Sequence, residues 1–128
     1  MQDVQYLMAK NGPRPVAPYS HAVRAGDFLF ITGQMPTLPD DPTKLVEGGI
    51  EAQTHRVMEN LKLVLEGVDS SLDRAVFARV YMVNFQEYDK MNAVYKSYFQ
   101  PDRLPGRTCI GVTGLAVGAL VEIDLIAT

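Results

Sequence analysis

Cysteine occurs once in this chain of 128 residues. No disulfide can therefore close within it, and an oxidising compartment is not called for. Histidine occurs twice, as His21 and His55, far apart and without neighbouring cysteine or acidic ligands at metal-binding spacing, so no metal site is expected. Basic residues are not in excess: Lys and Arg number 12 against 15 Asp and Glu, a net charge of −3. That balance disfavours generic nucleic-acid binding, which needs a basic face. No apolar run approaches the roughly 18 residues of a membrane span. Met1-Gln2-Asp3 carries neither the basic nor the apolar region of a secretory signal. The phosphate loop, the dinucleotide fingerprint and a Ser-His-Asp order are missing as well. These absences lead to the expectation of a cytoplasmic protein with no membrane partner and no nucleic-acid partner.

What is present has the make-up of one globular domain, residues 1–128, because hydrophobic residues are 47% and charged residues 21%. Val4 to Ala9 suits a short leading strand. Pro13, Pro15 and Pro18 then rule out helix and central strand, which leaves an extended arm ending at Tyr19-Ser20. Residues 21–25 and 28–32 predict a β-hairpin around Gly26-Asp27. Phe28-Leu29-Phe30-Ile31 is apolar on both alternations, so cover is expected on both faces. Residues 35–49 hold three prolines and Gly48-Gly49 and predict an irregular loop. Ile50, Val57, Met58, Leu61, Val64 and Leu65 form one helical stripe, with Gly67 as a left-handed cap. A strand over 75–83 follows, then a helix from about 86 to 99 that Pro101 closes, then strands over 107–113 and 120–127. The order β-β-α-β-α-β-β describes an α+β domain: a mixed sheet with both helices on one face. The other face then falls to a second copy, and a homo-oligomer is expected.

Arg107 follows the Pro105-Gly106 turn and opens an apolar strand. Its planar donor fork suits a carboxylate, although on this stretch alone a solvated strand-end charge or a structural ion pair is the favoured reading. Pairing the last two strands as a hairpin, with Thr113 opposite Leu120, puts Arg107, Cys109, Glu122 and Asp124 on one face, in a register that a one-residue slip reverses. In that arrangement Arg107 anchors an acid while Glu122 handles water or a proton; a mutual salt bridge is the competing reading. Cys109 reads as a buried, inert thiol. Thr32-Gly33-Gln34 ends its strand with a hydroxyl, a bare backbone and an amide, and is by itself a turn.

Five segments in order resemble the Rid family of reactive-intermediate deaminases, also called the YjgF family. They are Pro18-Tyr19-Ser20, Ile31-Thr32-Gly33-Gln34, Met91-Asn92-Ala93-Val94-Tyr95, Pro105-Gly106-Arg107-Thr108-Cys109 and Val121 to Ala127. The resemblance implies a chorismate-mutase-like fold, a homotrimer with clefts between subunits, and cofactor-free hydrolysis of 2-aminoacrylate-like imines to 2-oxo acids and ammonia. It implies further that Arg107 holds the substrate carboxylate and that Glu122 activates water. The Cys109 backbone then meets the reacting nitrogen or that water, while Tyr19, Thr32, Gly33 and Asn92 line the cleft. The family's usual serine is Thr32 here, and Leu115-Ala116-Val117-Gly118 replaces a Leu-Pro-charged loop. Two other functions stand beside this one: a small-acid binding module without turnover, and an endoribonuclease.

Overall fold

The structure is a computed structural model that describes residues 3–128. Strands β1 (Val4–Leu7), β2 (Ala22–Ala25) and β3 (Phe28–Gln34) form an antiparallel meander. Gly26 turns the β2–β3 hairpin with φ +61°, the conformation that a two-residue loop demands at its first position. Helix α1 (Ile50–Gly67) packs its expected stripe inward, and Val57, Met58, Leu61, Val64 and Leu65 are fully buried. Strand β6 (Ala75–Met82) leads through helix α2 (Tyr88–Lys96) to β7 (Gly106–Gly111), and β8 (Val121–Ala127) ends the chain. The six-stranded sheet has the order β1-β2-β3-β8-β6-β7. Both helices cover one face of this mixed sheet, as the α+β reading expects. No helix is long and apolar enough to cross a membrane.

The structure corrects several expectations. The stretch over 35–49 is not wholly irregular: β4 (Thr37–Leu38) and β5 (Asp41–Leu45) pair as a small antiparallel ribbon. Gly67 does not take the left-handed cap, which falls to Asp69 with φ +62°. Gly67 instead lets the arm pass close by, since a Cβ there would lie 2.8 Å from Ala9 Cα. Helix α2 is shorter than the expected span of about 86 to 99. A 3₁₀ turn, Phe85–Glu87, precedes it, and Asn84 Oδ1 caps that turn by accepting from the Gln86 N–H at 3.0 Å. Phe28 and Phe30 are each 46% exposed on the face opposite the helices, so β3 is covered on one side within a single protomer.

The largest correction concerns the last two strands. They are not a hairpin. β7 runs parallel to β6 at the sheet edge, the usual outcome when a helix carries the chain across between strands. β8 inserts between β3 and β6, antiparallel to both. Val121, Ile123, Leu125 and Ala127 point into the core beneath the helices, and Glu122 and Asp124 point the other way.

Candidate functional site

The parallel pairing decides where Arg107 lies. It stands opposite Ala78, which stands opposite Leu125, and Cys109 aligns with Val80 and Ile123. Those partners are core residues, so Arg107 and Cys109 share the helix-covered face. Glu122 aligns with Tyr81 on the opposite face. The structure thus separates Arg107 from Glu122, and the single-protomer cleft expected from a β7–β8 hairpin does not form.

Around Arg107 the chain builds a cradle. Its Nη1 donates to Asn92 Oδ1 at 2.7 Å, and its Nη2 donates to Tyr88 Oη at 2.9 Å. The guanidinium carbon sits 4.9 Å from the Tyr95 ring centre and 5.6 Å from that of Tyr88. Tyr88 is itself stacked on Phe85 at 4.9 Å. Asn92 and Tyr95 lie on one side of α2, three residues apart, so one helical face supplies both an acceptor and an aromatic floor. Among the described residues no ion pair involves Arg107. The competing reading of a salt bridge to Glu122 is therefore excluded within the protomer. What remains is a half-buried cation fixed by neutral groups, with its charge unmatched and its remaining donors free for a ligand.

Burial pushes the Tyr95 hydroxyl up to about 12, against the opposing pull of Arg107, and that hydroxyl is a buried group without a hydrogen-bond partner. Burial likewise pushes the Cys109 thiol up, again opposed by Arg107. A raised thiol is a poor nucleophile, which agrees with an inert cysteine, although Cys109 is half-buried and not sealed in the core.

The second group gathers on β3 and β8. Between Ile31 and Gln34 the β3–β8 register shifts: Ile31 pairs with Leu125 and Gln34 with Ile123, so three steps on one strand match two on the other. This bulge at Thr32-Gly33 turns the Gly33 backbone against the Glu122 side chain so closely that a Cβ would overlap Oε2. Thr32 Oγ1 donates to the Ser20 carbonyl at 2.6 Å and so ties the proline-rich arm to the bulge. Tyr19 and Gly33 line one narrow recess at the arm's end. Burial first, and then the charge of Asp124, push the Glu122 carboxyl above its ordinary range. The seven candidates thus fall into two sets: Arg107, Asn92 and Cys109 on one side, and Tyr19, Thr32, Gly33 and Glu122 on the other.

Sequence reading missed Tyr88, whose hydroxyl holds Arg107. It named Tyr95 only within the segment Met91 to Tyr95; for Tyr88, a tyrosine four residues before a candidate Asn on a helix was the available signal. The histidines prove structural. His21 is buried, its Nδ1 accepting from the Ala9 N–H at 2.8 Å and its Nε2 lying 2.7 Å from the Pro13 carbonyl, while His55 pairs with Tyr98.

Comparison with known proteins bears on the fold and the family. The family model described as Endoribonuclease L-PSP matches residues 9–128. A RutC family protein of Pyrococcus horikoshii is 39% identical over 123 residues, covering 96% of each chain. Protein HMF1 of Saccharomyces cerevisiae is 36% identical over 121 residues, covering 94% of this chain and 92% of that one. A crystal structure of a Rid-family protein from Yersinia pestis superposes with a TM-score of 0.91 at 34% identity, covering 98% of both chains.

Proposed function

This chain belongs to the Rid (YjgF) family, and we propose that it is a hydrolytic deaminase of small enamine and imine acids, releasing 2-oxo acids and ammonia. The observation that carries the reading is the guanidinium of Arg107, held by Asn92 and Tyr88 and left without an acidic partner. A fixed, unmatched cation with free donors suits a short carboxylate.

In this reading Arg107 grips the carboxylate of an imine such as 2-iminopropanoate. Water adds to C2, and Glu122 takes a proton from it while the C=N electron pair moves to nitrogen. Glu122 then returns the proton to nitrogen; the hydroxyl proton follows the same route as C=O forms, and the C–N bond breaks with its electron pair leaving on ammonia. The Cys109 backbone meets the nitrogen or the water, and Asn92, Tyr19, Thr32 and Gly33 line the cleft. Imines hydrolyse readily, so positioning is sufficient and neither a strong nucleophile nor a cofactor is needed.

Arg107 and Glu122 lie on opposite faces of one sheet, so the reading needs two copies. A homotrimer, in which one protomer's Arg107 side meets its neighbour's Glu122 side, joins the two sets. Phe28, Phe30 and Ile110, each 46% exposed on the open sheet face, supply the apolar surface for such contact. The test is release of pyruvate and ammonia from freshly generated 2-aminoacrylate. Turnover above the uncatalysed rate that disappears in Arg107→Ala is expected; unchanged activity in that variant removes the anchor role. Protection of the protein by small 2-oxo acids without turnover would identify a binding module. The family description names an endoribonuclease, and the net charge of −3 weighs against that activity here; RNA cleavage abolished by Arg107→Ala would establish it.

A further inference from the structure

Asp124 is held more firmly than an ordinary surface carboxylate. It lies two residues from Glu122 on β8 and on the same face, which at the rise of a strand is a separation of about 7 Å. Its side chain is only 17% exposed, and both oxygens are engaged. Arg79 Nε donates to Oδ1 at 2.9 Å, and Tyr81 Oη donates to Oδ2 at 3.0 Å. Arg79 and Tyr81 are the β6 residues opposite Asp124 and Glu122 respectively. Tyr81 therefore stands beside Glu122 yet gives its proton to Asp124, and none of the side-chain hydrogen bonds on this face reaches Glu122.

The remaining surroundings of Glu122 are uncharged. From β3 it meets the Gly33 backbone at the bulge, with Thr32 adjacent; from β7 the same face carries Thr108 and Ile110. The charged or titratable groups facing Glu122 within the protomer are thus Asp124 on its own strand and Arg79 and Tyr81 on β6. A clamped anion this near acts on Glu122 at fixed range, because two donors on the neighbouring strand prevent it from turning away.

We propose that Asp124 is a positioning residue for the reaction: clamped by Arg79 and Tyr81, it is the fixed charge that tunes Glu122 to give back the proton it takes. This rests on the deaminase reading above, in which Glu122 serves first as base and then as acid. A carboxyl group with ordinary affinity for protons is almost wholly ionised near neutrality, a weak base that seldom holds a proton to return, and a neighbouring negative charge raises that affinity. The direction found for Glu122, raised by burial and then by Asp124, agrees. Arg79 sets the limit by offsetting part of the Asp124 charge.

Two opposite changes test the proposal in the assembled protein. Asp124→Asn removes the anion and leaves Arg79 unpaired, so the ionisation of Glu122 should move to lower pH by about half to one unit. Arg79→Met strips the counter-charge and should move it upward; Arg79 is 61% exposed, so folding should survive. Asp124→Glu keeps the charge and should restore the wild-type position. The measurements are the pH dependence of kcat/KM and, independently of activity, a carbon-13 NMR titration of the Glu122 carboxyl. Opposite movements in the two variants support the proposal. No movement, or movement in the same direction, overturns it. If no turnover is found, the deaminase reading fails on the activity arm while the NMR titration still decides whether Asp124 acts on Glu122.

Discussion

Gly33→Ala is a probe of Glu122 that leaves Glu122 itself in place. The backbone at Gly33 lies outside the left-handed region, so alanine meets no conformational penalty there. The new methyl would instead overlap Glu122 Oε2 and would sit 3.1 Å from its Cδ and 3.3 Å from its Cγ, where ordinary contact begins at 3.4 Å. The stem can yield those few tenths of an ångström. The carboxylate cannot, and must rotate away by about 1 Å or more, a displacement that can cost about 100-fold in rate when the group handles the reacting water. Turning a half-exposed side chain costs only about 0.5–1.5 kcal/mol, so the fold should hold. The assay is initial-rate release of pyruvate from generated 2-aminoacrylate, alongside thermal unfolding. We expect kcat/KM down about 100-fold with a melting temperature within a few degrees of wild type. Wild-type turnover in Gly33→Ala would refute the placement of Glu122 at the chemical step.

Other predictions address the anchor and the acid. Arg107→Lys keeps the charge but loses the fork and its contacts with Asn92 and Tyr88, so KM for small acids should rise at least about 10-fold, as steady-state kinetics would reveal. Tyr88→Phe removes one of those contacts; a loss of about 1 kcal/mol predicts a rise of roughly 5-fold in KM with kcat little changed. Glu122 has its carboxyl raised in the folded state. Its contribution to stability is therefore fully present below the ordinary value of 4.5 and is lost as pH rises through the folded-state value. Glu122→Gln should accordingly melt higher than wild type at pH 8, with that advantage gone at pH 4 in the same thermal scans.

Much of this architecture is readable from local pattern. The α1 stripe from Ile50 to Leu65 repeats at helical spacing over more than four turns, and the β2–β3 hairpin is marked by a glycine that only one backbone geometry needs. Partnership between distant strands leaves no such trace. Residues 107–113 and 120–127 are neighbours in sequence with a glycine-containing loop between them, which is also how a hairpin reads. The α2 crossover returns β7 parallel to β6, and β8 takes the place between β3 and β6. That exchange moves Arg107 to the face opposite Glu122, because side-chain direction follows pairing register. The β4–β5 ribbon escaped notice because its prolines and aspartates give it no alternation. Within the site, Arg107 was legible from its place after Pro105-Gly106. Tyr88 and Tyr95 were not, since an aromatic at helical spacing reads as core until its hydroxyl or ring is found against a cation.

Mixing two inactive variants tests the inter-subunit cleft most directly. Arg107→Ala and Glu122→Gln are each inactive alone on this account, and co-assembly from denatured chains in equal amounts would bring an intact Arg107 from one against an intact Glu122 from the other. Random assembly makes about one cleft in four complete, so the mixture should recover roughly a quarter of wild-type deaminase activity. A mixed assembly, verified by mass, that remains as inactive as its parents would contradict a site divided between two copies.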